Sequence, residues 1–278
     1  MILLADGGST KTDWRLVDDH RQVAQLVTCG ANPLFRTVED LQAEWVEALT
    51  PLVQAGPVET VRFYGAGCCS AETVHTLRTA LAGSLSAATI KVESDLLGAA
   101  RGLCGHEAGI VCILGTGSNS CLYDGREIQE HVSPLGYILG DEGSGAVLGK
   151  LLVNACLKNQ LTPGLREAFL ERFALTPEII LEKVYRQPPA NRFLAGLSPF
   201  LCEHLSDPSV RTLVSDAFRA FFLKNVRPYG HSHLPVHCCG SIAFHYREVL
   251  CEAAVGLGIT VATVWQSPME GLIRYHAR

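Results

Sequence analysis

The chain lacks the features that mark membrane-spanning and nucleic-acid-binding proteins. No apolar run in its 278 residues approaches the length of a membrane-spanning helix. Basic residues are not in excess, since 23 Lys and Arg face 28 Asp and Glu and the formal net charge is −5, whereas general nucleic-acid binders are basic. We therefore expect neither a membrane nor a nucleic acid as a partner. Any anionic ligand would have to be held by local donors and metal.

Motifs of secreted and redox proteins are also missing. No basic leader precedes the first apolar segment, so we expect a cytoplasmic protein whose 11 cysteines are reduced thiols. Cys68-Cys69 and Cys238-Cys239 are adjacent pairs without CxxC spacing. The histidines near the second pair lack the spacing of zinc ligands. We therefore interpret this second pair as buried thiols rather than a zinc site, since free cysteine behaves as a small apolar residue.

The first stretch of the chain is an apolar run that ends in an acid, two glycines and small hydroxyl residues. A buried strand is predicted over residues 2–5, a second begins near Trp14, and Asp6-Gly7-Gly8-Ser9-Thr10-Lys11-Thr12 lies between them. Glycine lets a backbone approach a ligand closely, and the N–H groups of such a turn converge on an anion. The spacing is not that of a Walker loop. An ordinary hairpin turn is the alternative interpretation.

The same pattern recurs about a hundred residues later. An apolar run over residues 110–114 is followed by Gly115-Thr116-Gly117-Ser118-Asn119-Ser120 and then by the apolar residues 121–123. An internal repeat of this kind indicates two related units. Two such hairpins could hold a polyphosphate from both sides.

The rest of the chain alternates predicted strands and helices, which is typical of the α/β class. Apolar periodicity predicts one helix over residues 37–53, with Thr37 as its N-cap. Residues 162–234 are predicted to be mostly helical. Asp95 follows a predicted strand over residues 89–92 and precedes a predicted helix. It could be that helix's N-cap, or it could face the ligand crevice at the carboxyl end of the sheet. Glu93 is the competing carboxylate.

An ordered set of motifs resembles one known family. The set comprises the two turns above, Gly140-Asp141-Glu142-Gly143-Ser144, Gly240-Ser241 and the ending Ser267-Pro268-Met269-Glu270-Gly271-Leu272. It is similar to the BadF/BadG/BcrA/BcrD-type ATPase and N-acetylglucosamine kinase family of the actin/hexokinase/Hsp70 superfamily, over nearly the whole chain. The resemblance implies an α/β fold of two ribonuclease-H-like lobes with a ligand cleft between them. The lobes would comprise residues 1–106, joined by a C-terminal helix over 268–278, and residues 107–267 with a helical insertion.

The resemblance also implies an activity and the residues that carry it. The reaction is transfer of the γ-phosphoryl group of ATP, with Mg²⁺, to an amino sugar, foremost the 6-hydroxyl of N-acetylglucosamine. Asp95 would accept the hydroxyl proton, and Asp6 would hold the metal through water. We also expect a homodimer. The implied phosphate-binding residues are Gly7, Gly8, Ser9, Thr10, Lys11, Thr12, Thr116, Gly117 and Ser118; Gly240 and Ser241 would bind the adenosine; and Asn32, Asn119, Asp141 and Glu142 would bind the sugar.

One departure and two alternatives qualify this interpretation. Pro134-Leu135-Gly136 stands where better-known sugar kinases carry Gly-Trp-Gly, so N-acetylmuramic acid, glucosamine or another hydroxyl acceptor stays open. The family's other branch comprises ATPase activators of radical 2-hydroxyacyl-CoA dehydratases, which hold a [4Fe–4S] cluster through cysteines. Here Cys104, Cys112 and Cys121 mostly lie in apolar runs where burial is expected. A sugar-responsive regulator would carry an N-terminal DNA-binding domain, and the residues before Asp6 do not suffice for one.

Overall fold

A computed structural model of the chain describes residues 1–19, 21–87 and 89–276. The chain forms two compact units. The first comprises Met1–Glu107, Asp124–Ile128 and the residues from Ser267 on, and the second comprises Ala108–Tyr123 and Gln129–Gln266. Each unit contains a five-stranded sheet with helices, so the predicted α/β class with two lobes is confirmed. The last two residues of the predicted C-terminal helix, 277 and 278, lie outside the described residues.

The sheet of the first unit is mixed. Its strands, in the spatial order β3-β2-β1-β4-β5, are β1 (Ile2–Gly7), β2 (Lys11–Asp18), β3 (Arg21–Cys29), β4 (Thr60–Gly65) and β5 (Thr89–Ser94). β1 and β2 form the predicted antiparallel hairpin, and β3 continues it. β1, β4 and β5 run parallel to one another. Their carboxyl ends therefore meet at one edge of the sheet, where open α/β sheets bind ligands.

Helices cover both faces of this sheet. They are α1 (Val38–Ala48), α2 (Thr50–Ala55), α3 (Ala71–Ser84), α4 (Asp95–Cys104) and the C-terminal helix (Met269–His276). On one face the rings of Trp45 and Phe63 lie 5.3 Å and 5.6 Å from that of Trp14. On the other face Leu4 and Tyr64 pack with Leu272 of the C-terminal helix. Side chains alternate between faces along a strand, so Asp6 belongs to the face of Leu4.

The single helix predicted over residues 37–53 is wrong, because the structure contains two helices there. α1 ends at Ala48, and α2 begins at Thr50 with Pro51 in its first turn. Pro51 has no N–H to donate, and its ring would clash with the carbonyl four residues earlier, so it cannot continue α1. The predicted N-cap is confirmed, since the Thr37 hydroxyl accepts from the Asp40 N–H at 3.2 Å.

The second unit repeats the hairpin and adds helices. Its strands, in the order β10-β9-β6-β7-β8, are β6 (Gly109–Leu114), β7 (Ser118–Tyr123), β8 (Ile128–Glu130), β9 (Val236–Cys239) and β10 (Val261–Trp265). The helices are α5 (Gly136–Leu139), α6 (Gly145–Leu157), α7 (Leu165–Arg172), α8 (Pro177–Tyr185), α9 (Ala190–Glu203), α10 (Pro208–Phe221), α11 (Ser241–His245) and α12 (Arg247–Val255). A π-helical turn (Phe222–Val226) and a 3₁₀ turn (Arg227–Tyr229) follow α10. The mostly helical character of residues 162–234 is confirmed. No helix in the described part of the chain is long and apolar enough to cross a membrane.

Candidate active site

The first glycine-rich turn joins β1 to β2 and is held from behind. The Gly8 N–H donates to the Lys11 carbonyl at 2.9 Å, which closes the hairpin. A Cβ on Gly7 would lie 2.7 Å from the Phe63 ring, and one on Gly30 would lie 2.3 Å from the Ser9 carbonyl oxygen. Such distances are too short for real Cβ atoms, so packing behind the turn requires glycine at both positions. The turn has the hairpin geometry predicted from the sequence, and its binding of phosphate stays a prediction.

Two carboxylates lie beside this turn and influence each other. Asp6 is the penultimate residue of β1, and Asp95 is the first residue of α4, directly after β5. Burial, together with the Asp95 charge, raises the pKa of Asp6 to about 7, although the Ser267 hydroxyl donates to it at 3.3 Å and opposes the shift. Burial also raises the pKa of Asp95 to about 6, and its hydrogen bond from the Leu96 N–H opposes this. Both pKa values lie where proton transfer near neutral pH is effective.

The structure separates the two interpretations of Asp95. The N-cap of α4 is Ser94, whose hydroxyl accepts from the Leu97 N–H at 3.2 Å. The interpretation of Asp95 as the N-cap is therefore wrong. Its Oδ1 accepts instead from the adjacent Leu96 N–H, at 2.8 Å. Because Ser94 caps the helix, capping does not account for an Asp at position 95.

Glu93, the competing carboxylate, is already paired. Its Oε2 accepts from Arg101 Nη1 at 2.5 Å, and the same nitrogen donates to the Tyr64 hydroxyl at 3.0 Å. Both side chains of the ion pair are mostly buried, with exposed fractions of 27% for Glu93 and 16% for Arg101. The ion pair already occupies the Glu93 carboxylate, whereas Asp95 has no such partner among the described residues, so the geometry favours Asp95 over Glu93 as a base.

Asn32 has a structural task in the first unit. Its Nδ2 donates to the Ser9 hydroxyl at 3.1 Å, and its Oδ1 accepts from the Leu34 N–H at 3.0 Å. The side chain is buried against Gly67, where a Cβ would lie 2.3 Å from Oδ1. Asn32 is therefore the turn residue that Asn before Pro predicts, and it ties its loop to the first glycine-rich turn. A direct contact with a sugar stays a prediction.

The donors beside the first turn suit magnesium better than zinc. Among the described residues, no group of three or more His, Cys, Asp or Glu side chains could hold a metal ion. Mg²⁺ does not need such a group, because it is usually bound by one or two carboxylates, waters and substrate phosphates. Asp6 and Asp95 supply hard oxygen ligands of this kind, so the residues present fit the predicted metal.

The second glycine-rich turn joins β6 to β7 and lies against the start of α6. The Gly145 N–H donates to the Gly115 carbonyl at 2.8 Å, and the Ala146 N–H donates to the Thr116 carbonyl at 3.1 Å. Asp141 reaches back over the turn, where its Oδ1 accepts from the Ser118 N–H at 3.3 Å. The N–H predicted to bind phosphate therefore binds a carboxylate of the protein. Phosphate could take this N–H only if Asp141 moved.

The loop that carries Asp141 and Glu142 is built on unusual backbone angles. Asp141 and Gly143 have φ of 53° and 71°, and Ser144 then caps α6 through the Val147 N–H at 3.2 Å. Burial raises the pKa of Asp141 to about 6, against the Ser118 N–H and with the help of the Glu142 charge. The predicted site residue Asp141 is thus partly buried and held close to the second turn.

Two residues that the sequence did not single out hold Glu142. Lys224 Nζ donates to Glu142 Oε1 at 2.9 Å, and Asn225 Nδ2 donates to Oε2 at 3.2 Å. Burial raises the pKa of Glu142, but these two donors and a backbone N–H together outweigh it, and the pKa lies below its ordinary value. Lys224 and Asn225 belong to the π-helical turn Phe222–Val226, a form often found at functional sites. No local pattern in the sequence predicts that turn.

Asn119 and Gly240 also lie in the second unit. Asn119, near the start of β7, contacts His131 Nε2 through its Oδ1 at 2.8 Å. Gly240 follows β9 with a φ of 109°, and a Cβ there would lie 2.3 Å from the Leu114 carbonyl oxygen. Close packing of two strand ends therefore requires glycine at this position, whatever ligand binds. Ser241 begins α11 and is exposed.

The segment in place of Gly-Trp-Gly exposes apolar side chains. Leu135, Ile138 and Leu139 are 60%, 72% and 75% exposed. The segment is nevertheless braced, since the Asp141 N–H donates to the Pro134 carbonyl at 2.8 Å and Lys150 Nζ donates to the Tyr137 carbonyl at 2.7 Å. Leu135 also has a φ of 60°, a conformation rare for its residue type. The fold thus holds an apolar surface next to Asp141 in the chain.

The three cysteines weighed for the iron–sulfur alternative do not suit it. Cys112 and Cys121 are fully buried within β6 and β7, and Cys104 is half-buried, whereas a cluster shared by two subunits needs thiolates at a surface. The predicted burial of Cys238 and Cys239 is confirmed. Cys69, of the first adjacent pair, is exposed in the segment before α3.

Comparisons with known proteins agree with the sugar-kinase branch. No family model and no curated protein sequence matches the chain. A solved structure from Porphyromonas gingivalis, provisionally assigned as an N-acetylglucosamine kinase, is 49% identical, with coverage of 100% of this chain and 99% of that one and a TM-score of 0.96. A provisionally assigned N-acetylglucosamine kinase from Chromobacterium violaceum is 20% identical, with coverages of 99% and 98% and a TM-score of 0.76. A ROK family glucokinase from Streptomyces griseus, in complex with glucose and AMPPNP, is 15% identical, with coverages of 98% and 97% and a TM-score of 0.63.

The second and third of these likenesses establish the fold alone. The likeness to the P. gingivalis protein covers almost all of both chains at 49% identity, and it agrees with the family that the ordered motifs indicate. The chain belongs to the BadF/BadG/BcrA/BcrD-type ATPase and N-acetylglucosamine kinase family.

Proposed function

We propose that the protein is an ATP-dependent carbohydrate kinase that phosphorylates an amino sugar, foremost N-acetylglucosamine at its 6-hydroxyl. The P. gingivalis relative supports this assignment through its name. The observation that carries it is the pair of carboxylates, Asp6 and Asp95, at the carboxyl edge of the first sheet beside a glycine-rich turn. Phosphoryl transfer depends on positioning and on charge stabilisation more than on covalent chemistry, and this arrangement offers both.

Asp95 is the proposed general base. Its pKa of about 6 keeps it mostly ionised at neutral pH while leaving it basic enough to accept a proton. The sugar hydroxyl gives its proton to the Asp95 carboxylate as the hydroxyl oxygen attacks the γ-phosphorus of ATP. The bond from the γ-phosphorus to the bridging oxygen breaks, and ADP leaves with that electron pair.

The phosphates are proposed to contact backbone N–H groups of both glycine-rich turns. In the first turn these are the N–H groups of residues 7–10, next to Asp6. In the second they are those of residues 116–118, after Asp141 has released the Ser118 N–H. Asp6, with Asp95 beside it, would hold Mg²⁺, which neutralises charge on the phosphates.

The acceptor is proposed to contact the second unit through Asn119, Asp141 and Glu142. Carboxylates accept hydrogen bonds from sugar hydroxyls. The apolar side chains of Leu135, Ile138 and Leu139 precede them in the chain and remain exposed. Exposed apolar surface of this kind often marks a ligand site, and it suits the methyl group of an N-acetyl substituent. This favours N-acetylglucosamine over glucosamine.

A substrate screen tests the proposal. Purified protein with ATP and Mg²⁺ is given N-acetylglucosamine, glucosamine, N-acetylmuramic acid or glucose, and ADP release is measured by a coupled assay. We expect the highest kcat/KM with N-acetylglucosamine, and phosphorus–proton correlation NMR of the product should place the phosphate on the 6-oxygen. The Asp95→Asn protein serves as the blank for contaminating kinases. Failure to phosphorylate any of the four sugars would overturn the proposal.

A further inference from the structure

The amide of Asn119 has a fixed orientation. The backbone N–H of Ser120 donates to Asn119 Oδ1 at 2.9 Å. A backbone N–H can only donate, so the side-chain atom that faces it must be the oxygen. This assignment follows from the chemistry of the contact and needs no choice between two amide flips.

The orientation of the Asn119 amide determines which ring nitrogen of His131 carries a proton. His131 directly follows β8, which pairs with β7, and its Nε2 lies 2.8 Å from the same Oδ1. Because Oδ1 only accepts, Nε2 must carry the proton. Partial burial lowers the pKa of His131, so the ring is a neutral Nε2–H tautomer at neutral pH.

Two donors therefore saturate one end of the amide and leave the other available. No described residue accepts a hydrogen bond from Asn119 Nδ2, and the side chain is partly accessible. Without His131, a single backbone contact would hold the amide, and the side chain could rotate about its own bonds. With it, the Nδ2–H group is held ready as a donor.

We propose that His131 is a positioning residue that fixes Asn119 so that its Nδ2–H donates to an oxygen of the acceptor sugar. The inference rests on the proposed function, since it names how one residue of that site selects its ligand. A site that presents a fixed donor favours an acceptor oxygen, such as a carbonyl or hydroxyl oxygen, and disfavours an ammonium group at the same place.

Substitutions at His131 separate positioning from general structure. His131→Phe keeps a ring but removes the donor, and it should raise the KM for N-acetylglucosamine by about threefold to tenfold, the loss expected for one neutral hydrogen bond. The KM for ATP and kcat should stay within about twofold. His131→Gln restores an N–H donor near the position of Nε2 and should recover most of the loss. His233→Phe is the matched control, because His233 is also an exposed histidine of the second unit and lies outside the proposed site.

Asn119→Asp tests whether residue 119 donates the proposed hydrogen bond to the sugar. This change keeps an oxygen toward Ser120 and His131 but replaces the outward donor by an acceptor, so it should raise the sugar KM at least as much as His131→Phe. An unchanged sugar KM in both variants would overturn the proposal.

A measurement on the resting protein separates failure of this inference from failure of the proposed function. Nitrogen-15 NMR of labelled protein at pH 7.5 should show His131 protonated on Nε2 and bare on Nδ1. The opposite tautomer would refute the positioning role, whatever sugar the enzyme uses. Failure of the substrate screen, in contrast, would refute the kinase assignment whatever the tautomer.

Discussion

Asp95→Asn is the substitution that most directly tests the proposed chemistry. The change removes a proton acceptor but retains an oxygen that can accept the Leu96 N–H at the start of α4. General-base catalysis contributes about 10²- to 10⁴-fold, which corresponds to about 3–5 kcal/mol of transition-state stabilisation. We therefore expect kcat to fall at least about 100-fold, with little change in the affinity for nucleotide.

The loss of activity should not come from unfolding. Burial raises the pKa of Asp95 from 3.8 to about 6, so ionising the group costs the folded state free energy. As pH rises from about 4 to about 6, the unfolded chain releases its proton first, and the folded state loses stability relative to it. The neutral Asn avoids this loss, so Asp95→Asn should be at least as stable as the parent protein at pH 8.

The assay follows ADP release over a range of sugar concentrations at saturating ATP, which gives both kcat and kcat/KM for the sugar, and nucleotide affinity is measured separately by calorimetry. In the parent protein, kcat/KM for the sugar should fall about tenfold per pH unit below pH 6, because protonated Asp95 cannot accept a proton. Glu93→Gln is the matched control. It removes a carboxylate two residues away and should keep kcat within about threefold, although it leaves Arg101 without its ion-pair partner. Near-normal turnover of Asp95→Asn would refute the reasoning and direct attention to Asp141.

Two further substitutions test the metal site and the sugar site. Asp6→Asn should raise the Mg²⁺ concentration needed for half-maximal activity by about tenfold or more. Because burial raises the pKa of Asp6 to about 7, the ligand-free parent protein loses stability as pH rises from about 4 to 7. The variant avoids this loss, so above pH 7 it should be more stable than the parent protein by at most about 4 kcal/mol. An unchanged Mg²⁺ titration would remove Asp6 from the metal site. Glu142→Gln should raise the sugar KM about tenfold at similar kcat, because a charge-assisted acceptor becomes a neutral one. If only the melting temperature changes, Glu142 serves only to bind Lys224 and Asn225.

Local patterns predicted the fold well where contacts between sequence neighbours decide it. The two hairpins with small residues in their turns and the Thr37 cap depend on residues close together in sequence. The one clear error, the helix over residues 37–53, arose because apolar periodicity outweighed Pro51. The correct weighting was available in the sequence, since Pro in a helix interior costs about 3 kcal/mol.

The candidate site was less predictable, because its contacts join distant residues. Lys224 lies 82 residues from Glu142, and only the π-helical turn brings them together. Whether Ser94 or Asp95 caps α4 was also undecidable, since both residue types cap helices well. The Asp141 contact with the Ser118 N–H spans 23 residues. It joins a residue predicted to bind the sugar to one predicted to bind phosphate, and neither motif predicts that contact.

That contact has a thermodynamic consequence. Ser118 is only 6% exposed, and a buried N–H without a partner is costly, so Asp141 satisfies it in the absence of ligand. A phosphate that takes the same N–H would release the Asp141 carboxylate to accept a sugar hydroxyl. We therefore expect AMPPNP to tighten N-acetylglucosamine binding by about fivefold or more, within the usual range of coupling between sites. Because linkage is reciprocal, the sugar should tighten nucleotide binding by the same factor. Asp141→Asn, which accepts from Ser118 more weakly and binds hydroxyls without a charge, should reduce this coupling. Calorimetry with each ligand alone and with both measures it, and equal sugar affinities with and without AMPPNP would show that Asp141 stays on the Ser118 N–H.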